Sequence, residues 1–323
     1  MRPLSSALAA LVLCTGAVPA AAQWPPQKFE NLRVLPDSIP PRELIALMAG
    51  FTRALGVRCP FCHVGEEGRP LSTFDFPSDK KPTKRKAREM LRMVADINGG
   101  HLALLKERED PPVRVQCVIC HAGRAVPRQL EDVLLLAYGA GGLDSAFAAY
   151  DGLRAQYYGR AAYDFGSVPL TVLADSVQGR GSLADAVSIL ALNVEQNPSS
   201  VFAERQHGRA AVLLAFLTQG ADSGVARYHA LRDTYGADAF PQFELNGLGY
   251  ALLREGKRDE AVAAFKLAVE AFPRSANAYD SLGEAYAAAG DTTSAIASYR
   301  RSLELNPKNA NAERMLRALG ARR

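Results

Sequence analysis

The chain has 323 residues, 48 % of them hydrophobic and 22 % charged, with a net charge of +4. This is an ordinary composition for a globular protein; the mild positive balance does not argue for a nucleic-acid binder, and no basic and aromatic groove pattern supports one. The length exceeds one ordinary core, so two domains are expected.

Residues 1–22 read as a secretory signal. Arg2 gives the positive start, Leu8 to Val18 a short apolar run, and Ala20-Ala21-Ala22 a small-residue cleavage site before Gln23. Cys14 lies in this leader, but the bulky Leu13 before it argues against lipid attachment. No later stretch is expected to cross a membrane. Gln23 to Pro41 reads as an extended arm with a short strand at Leu32–Leu35. A helix is expected to start at Pro40–Pro41. Leu44, Ile45, Met48, Phe51 and Leu55 follow at helical spacing, and Gly56 is the stop.

Cys59-Pro60-Phe61-Cys62-His63 comes next, and Cys117-Val118-Ile119-Cys120-His121 repeats the pattern. C-x-x-C-H is the attachment pattern of a c-type haem. Two thiols a helical turn apart can add to the two vinyl groups of one ring, and the following histidine can offer its imidazole to the iron. Four of the five cysteines are used in this way and the fifth is Cys14. A zinc site would leave the two matching histidines unexplained. A redox dithiol should open a helix in a βαβ setting, which the pattern lacks. Two haem c groups are the expected cofactors.

A thioether opposite a histidine completes the iron and raises its potential. Met48 lies fifteen residues before His63 on the apolar face of its helix, beside the small Ala49 and Gly50. Val64 to Pro82 reads as a loop. Lys80, Lys81, Lys84, Arg85, Lys86 and Arg88 form a basic run, either a solvated helix start or a docking patch for an acidic redox partner. The helix expected over Thr83–Ile97 carries Ala87, Met90, Leu91, Val94 and Ile97 on one stripe, with Met93 at its edge. Met90 is therefore the second candidate axial ligand, with Met93 as its substitute. His101 reads as a surface residue.

Several stretches resemble the cytochrome c subunit of photosynthetic reaction centres. They are Asn31 to Pro36, Gly50 to Arg58, Ala87 to Met93 with Ile97-Asn98, and Cys117 to Gly123. The resemblance covers roughly residues 30–128. It implies C-x-x-C-H attachment with a methionine on the preceding helix as sixth ligand, hence Met48 with His63 and Met90 with His121. Its full form has four haem units and this chain has motifs for two.

Past residue 130 the composition shifts to Ala, Leu, Tyr and Gly. Leu130–Tyr138 reads as a helix closing the haem unit, Gly139–Gly142 as a hinge and Ser145–Tyr158 as a further helix. A period of thirty-four then appears: Leu248-Gly249 recurs as Leu282-Gly283, Ala261 as Ala295, Phe265 as Tyr299, and Pro273 as Pro307. This resembles the tetratricopeptide repeat over residues 242–309. A weaker unit lies around Ala186 and Pro198, a degenerate one at 199–241, and a capping helix at Ala310–Leu319. His207 and His229 read as ordinary helical residues.

The expected fold is all-α: a two-haem unit at 23–130, a helical linker at 131–175, and tetratricopeptide-like repeats at 176–323, clearest at 242–275 and 276–309. The expected function is one-electron transfer outside the cytoplasm, in the periplasm or at the outer face of the inner membrane. The resemblance implies redox partner proteins, a membrane reaction centre or another cytochrome. The repeats imply a further protein partner, and no small-molecule substrate or nucleic acid is expected. A two-haem peroxidase, which needs one displaceable sixth ligand, and a haem redox sensor on a repeat scaffold are the alternatives.

Overall fold

Proline and glycine punctuation decides where the first helices begin and end. The computed structural model describes Pro26 and residues 28–321, so the expected leader and Cys14 lie outside the described residues. The described chain falls into two compact units, one ending at Pro127 and the other beginning at Arg128. Every regular element described is helical; Val64 and Asp75 form an isolated antiparallel bridge.

In the first unit α1 runs Pro41–Leu55, with Pro41 at its first position and Gly56 closing it at φ 65°. Two short helices hold the cysteine motifs, α2 at Cys59–Cys62 and α4 at Cys117–His121. Between them α3 spans Pro82–Asp96 and continues into a π turn at Ile97–His101. The strand expected at Leu32–Leu35 is a turn instead. Asn31 and Arg33 take φ 62° and 49°, and left-handed residues cannot continue a pleated strand. Long-range ties hold this shape: the Asn31 side chain donates to the Pro77 carbonyl, and Arg88 donates to the Asn31 carbonyl at 2.7 Å.

The second unit opens with α5, Leu130–Tyr157. Leu130 and Leu134 are buried among Tyr150, Leu170 and Leu173, so the helix expected to close the haem unit packs in the second unit's core. By length and composition α5 is long and apolar enough to cross a membrane, contrary to the sequence expectation. Gly141 and Gly142 leave helical geometry at the expected hinge. Each half of α5 is therefore shorter than the roughly twenty residues of a span, and both halves contribute buried side chains.

Helical hairpins follow: α6 (Ser167–Gly179) with α7 (Leu183–Gln196), α8 (Val201–Gln219) with α9 (Ala221–Tyr235), α10 (Gln242–Arg254) with α11 (Arg258–Ala271), and α12 (Ala276–Ala289) with α13 (Thr292–Leu305). The hairpin of α6 and α7 runs across the boundary at 175/176 read from sequence. The final helix, α14 (Ala310–Ala318), caps the stack and packs on α13. Glycines let paired helices approach. A Cβ on Gly249 would lie 2.5 Å from the Phe265 ring, and one on Gly283 would lie 2.8 Å from the Tyr299 ring. Stacking buries a continuous core that no hairpin could bury alone.

Candidate functional site

The first cysteine motif sits between α1 and α3. Cys59 opens α2, and the His63 amide bonds back to the Cys59 carbonyl at 3.0 Å. His63 itself is extended, at φ −113° and ψ 152°, so its ring leaves the helix as the motif requires. The chain then folds back: Asp75 N–H donates to the Val64 carbonyl at 2.9 Å. This sets the Phe76 ring edge-on to the His63 ring, with centroids 4.8 Å apart. Nδ1 of His63 is buried without a hydrogen-bond partner. Burial, and then the Lys84 charge, lower the His63 pKa, while the Phe76 backbone works against them. A neutral imidazole is the form that can donate to a metal.

Part of the basic run serves this motif and the loop after it, while Lys80, Arg85 and Lys86 stay exposed. Lys81 and Thr83 donate to the carbonyls of Pro60 and Phe61. Lys84 Nζ donates to the carbonyls of Phe76 at 2.7 Å and of Pro77 and Ser78 at 3.0 Å. Arg88 is buried and pairs with Asp79 at 2.8 Å. That guanidinium, more than any other group, holds the Asp79 carboxyl well below the usual carboxylate range. Three of the six basic residues, Lys84, Arg85 and Arg88, thus bond to the loop before α3, and Lys81 bonds to the motif itself. The solvated helix start describes Lys80, Arg85 and Lys86, which are exposed, and not Lys81, Lys84 and Arg88.

The second motif is held from both sides. Asn98, in the π turn, donates through Nδ2 to the Val115 carbonyl at 2.9 Å and accepts the Val115 N–H at 2.8 Å. This places the chain just ahead of Cys117. After the motif, Ala122 and Gly123 take φ 46° and 81°, and Gly123 N–H donates to the Ala54 carbonyl at 2.9 Å. Nδ1 of His121 lies 2.8 Å from the Arg124 carbonyl. A carbonyl there fixes the hydrogen on Nδ1 and leaves Nε2 as the donor atom.

Cys59, Cys62, Cys117 and Cys120 are all free thiols. Burial raises the Cys62 pKa, opposed by the Thr83 hydrogen bond and the Lys81 charge. A cleft of about 480 Å³ lies beside Cys59, lined among others by Thr52, Gly56, Val57, Pro60 and Phe74; Met48 and His63 do not line it. Met48 is half-buried on α1, and the Gly50 side is open, with nothing within 4 Å of a Cβ there. Met90 and Met93 are exposed, at 42 % and 45 %. The inward side of α3 is set by Arg88, with Lys84, Ala87 and Leu91 half-buried beside it. Val118 and Ile119, between the cysteines of the second motif, are also exposed. Among the described residues, no three His, Cys, Asp or Glu side chains gather as a metal-binding group. Paired free thiols, an imidazole with its lone pair freed, and outward apolar side chains fit a covalently attached porphyrin.

The basic residues were legible, but their carbonyl partners were not. Asn98 carried a signal only through the resemblance, and the Gly123–Ala54 bond carried none. His101 is exposed and 3.6 Å from Asp96.

Residues 17–133 match the family model of the photosynthetic reaction centre cytochrome C subunit, and residues 246–310 match that of the tetratricopeptide repeat. Cytochrome c-554 of Chloroflexus aurantiacus is 37 % identical over 78 residues, which are 24 % of this chain and 16 % of that protein. Among solved structures, a MamA protein is 25 % identical, covering 56 % of this chain and 92 % of that one, with a TM-score of 0.31. YrrB, a TPR protein with an unusual peptide-binding site, is 18 % identical, covering 58 % and 90 %, also at 0.31. A thermophilic TPR protein of Thermus thermophilus is 17 % identical, covering 59 % and 96 %, at 0.30. The cytochrome match implies haem c as the group that the cysteine motifs hold. The chain thus joins a stretch similar to the photosynthetic reaction centre cytochrome C subunit to a stretch of tetratricopeptide repeats.

Proposed function

We propose that this chain is an exported electron carrier that holds two covalent haems and docks a protein partner on its helical repeats. The observation that carries the reading is the duplicated C-x-x-C-H, with all four thiols unpaired, inside the stretch similar to the reaction-centre cytochrome subunit. Bound haem supplies reversible one-electron chemistry at iron.

The chain's own residues do the rest. Cys59 with Cys62, and Cys117 with Cys120, would tether the rings. His63 and His121 would present imidazole to each iron. Met48 and Met90, with Met93 as the substitute for Met90, would offer thioethers as further ligands. Iron held by both residue types would favour electron transfer over substrate chemistry. The Arg124 carbonyl fixes one imidazole, and Asn98 and Gly123 hold the second motif in place.

By resemblance, the electrons would pass to a photo-oxidised donor in a membrane reaction centre or to another cytochrome. Export by the leader at 1–22 would put this exchange in the periplasm, at the outer face of the inner membrane. The repeats would hold the protein partner.

The test is the spectrum of the reduced protein under carbon monoxide. The reading expects two low-spin haems that do not bind the gas, and expects Met48→Ala to open one of them. Ready binding by the unaltered protein would overturn it in favour of a peroxidase.

A further inference from the structure

The cleft beside Cys59 is ringed by guanidinium groups. Arg53 in the last turn of α1, Arg58 just before α2 and Arg69 in the loop that follows all line it. Among the described residues, Glu67 is the one acid in the lining. It pairs with Arg58 at 3.1 Å, and both side chains are well exposed, so the pair is a weak one. Arg53 and Arg69 are exposed, and among the described residues neither pairs with an acid. Three cations against one anion leave the cleft electropositive.

Apolar side chains complete the wall: Val57, Pro60, Leu71 and Phe74. Phe74 is held in place, because its ring stacks on Phe76 with centroids 5.5 Å apart and a Cβ on Gly65 would stand 2.3 Å from it. Leu71 is exposed, as are Gly68 and the three arginines, so the cleft of about 480 Å³ is open to solvent. Arginine grouped around aromatic and aliphatic surface is the composition of the energetic centre of a protein interface.

Cys59 lines the cleft, whereas Cys62, His63 and Met48 do not. A ring tethered at both thiols and facing His63 would therefore border the cleft at its Cys59 edge and not fill it. We propose that the cleft docks an acidic segment of the redox partner, with carboxylates on Arg53 and Arg69 and an apolar side chain against Leu71 and Phe74. A partner seated there stands beside the first haem. This rests on the reading of the chain as an electron carrier and gives that carrier's partner its charge.

The test uses the full haem-loaded chain and labelled nonapeptides in fluorescence anisotropy. One has a central leucine flanked by glutamates; the second has glutamine and the third lysine in place of glutamate. The glutamate peptide is expected to bind about tenfold or more tighter than the glutamine peptide, and to weaken as salt is raised. Arg53→Gln and Arg69→Gln should each weaken it about two- to fivefold without lowering the melting temperature, since both side chains are exposed. Lys80→Gln combined with Lys86→Gln removes two exposed charges outside the cleft and should leave binding unchanged. Saturating glutamate peptide should lower the midpoint potential of one haem and not of the other, because negative charge beside an iron favours its oxidised form. Full affinity in the double variant Arg53→Gln/Arg69→Gln would overturn the cleft, as would an equal loss in the lysine variant or a shift shared equally by both haems. A chain with two haems that binds none of the peptides, or the lysine peptide alone, would overturn the cleft and leave the electron carrier standing. A chain without haem would overturn the electron carrier, while the Arg53 and Arg69 ratios would still decide whether the cleft takes an acidic segment.

Discussion

Gly56 and Gly123 face each other so closely that a Cβ on Gly56 would stand 2.1 Å from the Gly123 carbonyl oxygen. The end of α1 and the tail of the second cysteine motif therefore touch backbone to backbone, and the Gly123–Ala54 hydrogen bond lies beside the contact. Gly56→Ala meets both this clash and a left-handed φ of 65°. It should cost at least about 2 kcal/mol in denaturant unfolding of the haem unit. Gly123→Ala, with φ 81° but open space around its Cβ, should cost about 1 kcal/mol. Equal costs at the two positions would contradict the close approach.

Asn98 links the π turn to Val115 through two hydrogen bonds. Asn98→Ala should destabilise the haem unit by roughly 2–3 kcal/mol. It should also produce protein carrying a single haem, because the second motif loses its upstream hold while the first keeps Lys81 and Thr83. Intact-mass spectrometry reads the ratio of singly to doubly loaded chains, and an unchanged ratio would remove Asn98 from this role.

The Asp79–Arg88 pair predicts the acid limb of the stability profile. Because the folded-state pKa of Asp79 is depressed, its contribution is present above the unfolded carboxylate value of about 3.9 and is lost as pH falls below it. Asp79→Asn should flatten that part of the profile and loosen the loop before α3. A melt below pH 4 that follows the wild type would contradict this.

In the repeats, His207 is buried on α8, with Nδ1 2.7 Å from the Tyr235 hydroxyl. Burial, chiefly, pushes its pKa down to about 4. The folded state thus holds it neutral: its contribution is whole above the unfolded value of about 6.5 and is lost as pH falls from there toward 4. The loss amounts to about 2–3 kcal/mol. His207→Gln should remove most of the slope between pH 6.5 and 4 in the melt of the repeat unit.

What the sequence made legible was local. Pro41 and Gly56 mark the ends of α1 because each acts on its own backbone. The cysteine motifs are contiguous, and the thirty-four-residue register shows wherever helices keep equal lengths. The turn at Asn31 and Arg33 was not legible, because residues up to 57 positions away hold it. Lys81 and Lys84 looked solvated because their partners are main-chain carbonyls, which leave no trace in side-chain pattern. The repeat at 199–241 lost its register for a physical reason: α8 runs 19 residues, and a turn at Ala237–Ala239 is inserted before α10. His229 read as an ordinary helical residue, yet folding brings Glu270 within 3.7 Å of it.

The most direct measurement is the intact mass of the denatured protein purified from a host competent in cytochrome maturation. Covalent attachment at Cys59, Cys62, Cys117 and Cys120 predicts a polypeptide heavier by two haems, falling to one when Cys117 and Cys120 are both changed to alanine. A colourless product at the mass of the bare polypeptide would contradict the electron-carrier account.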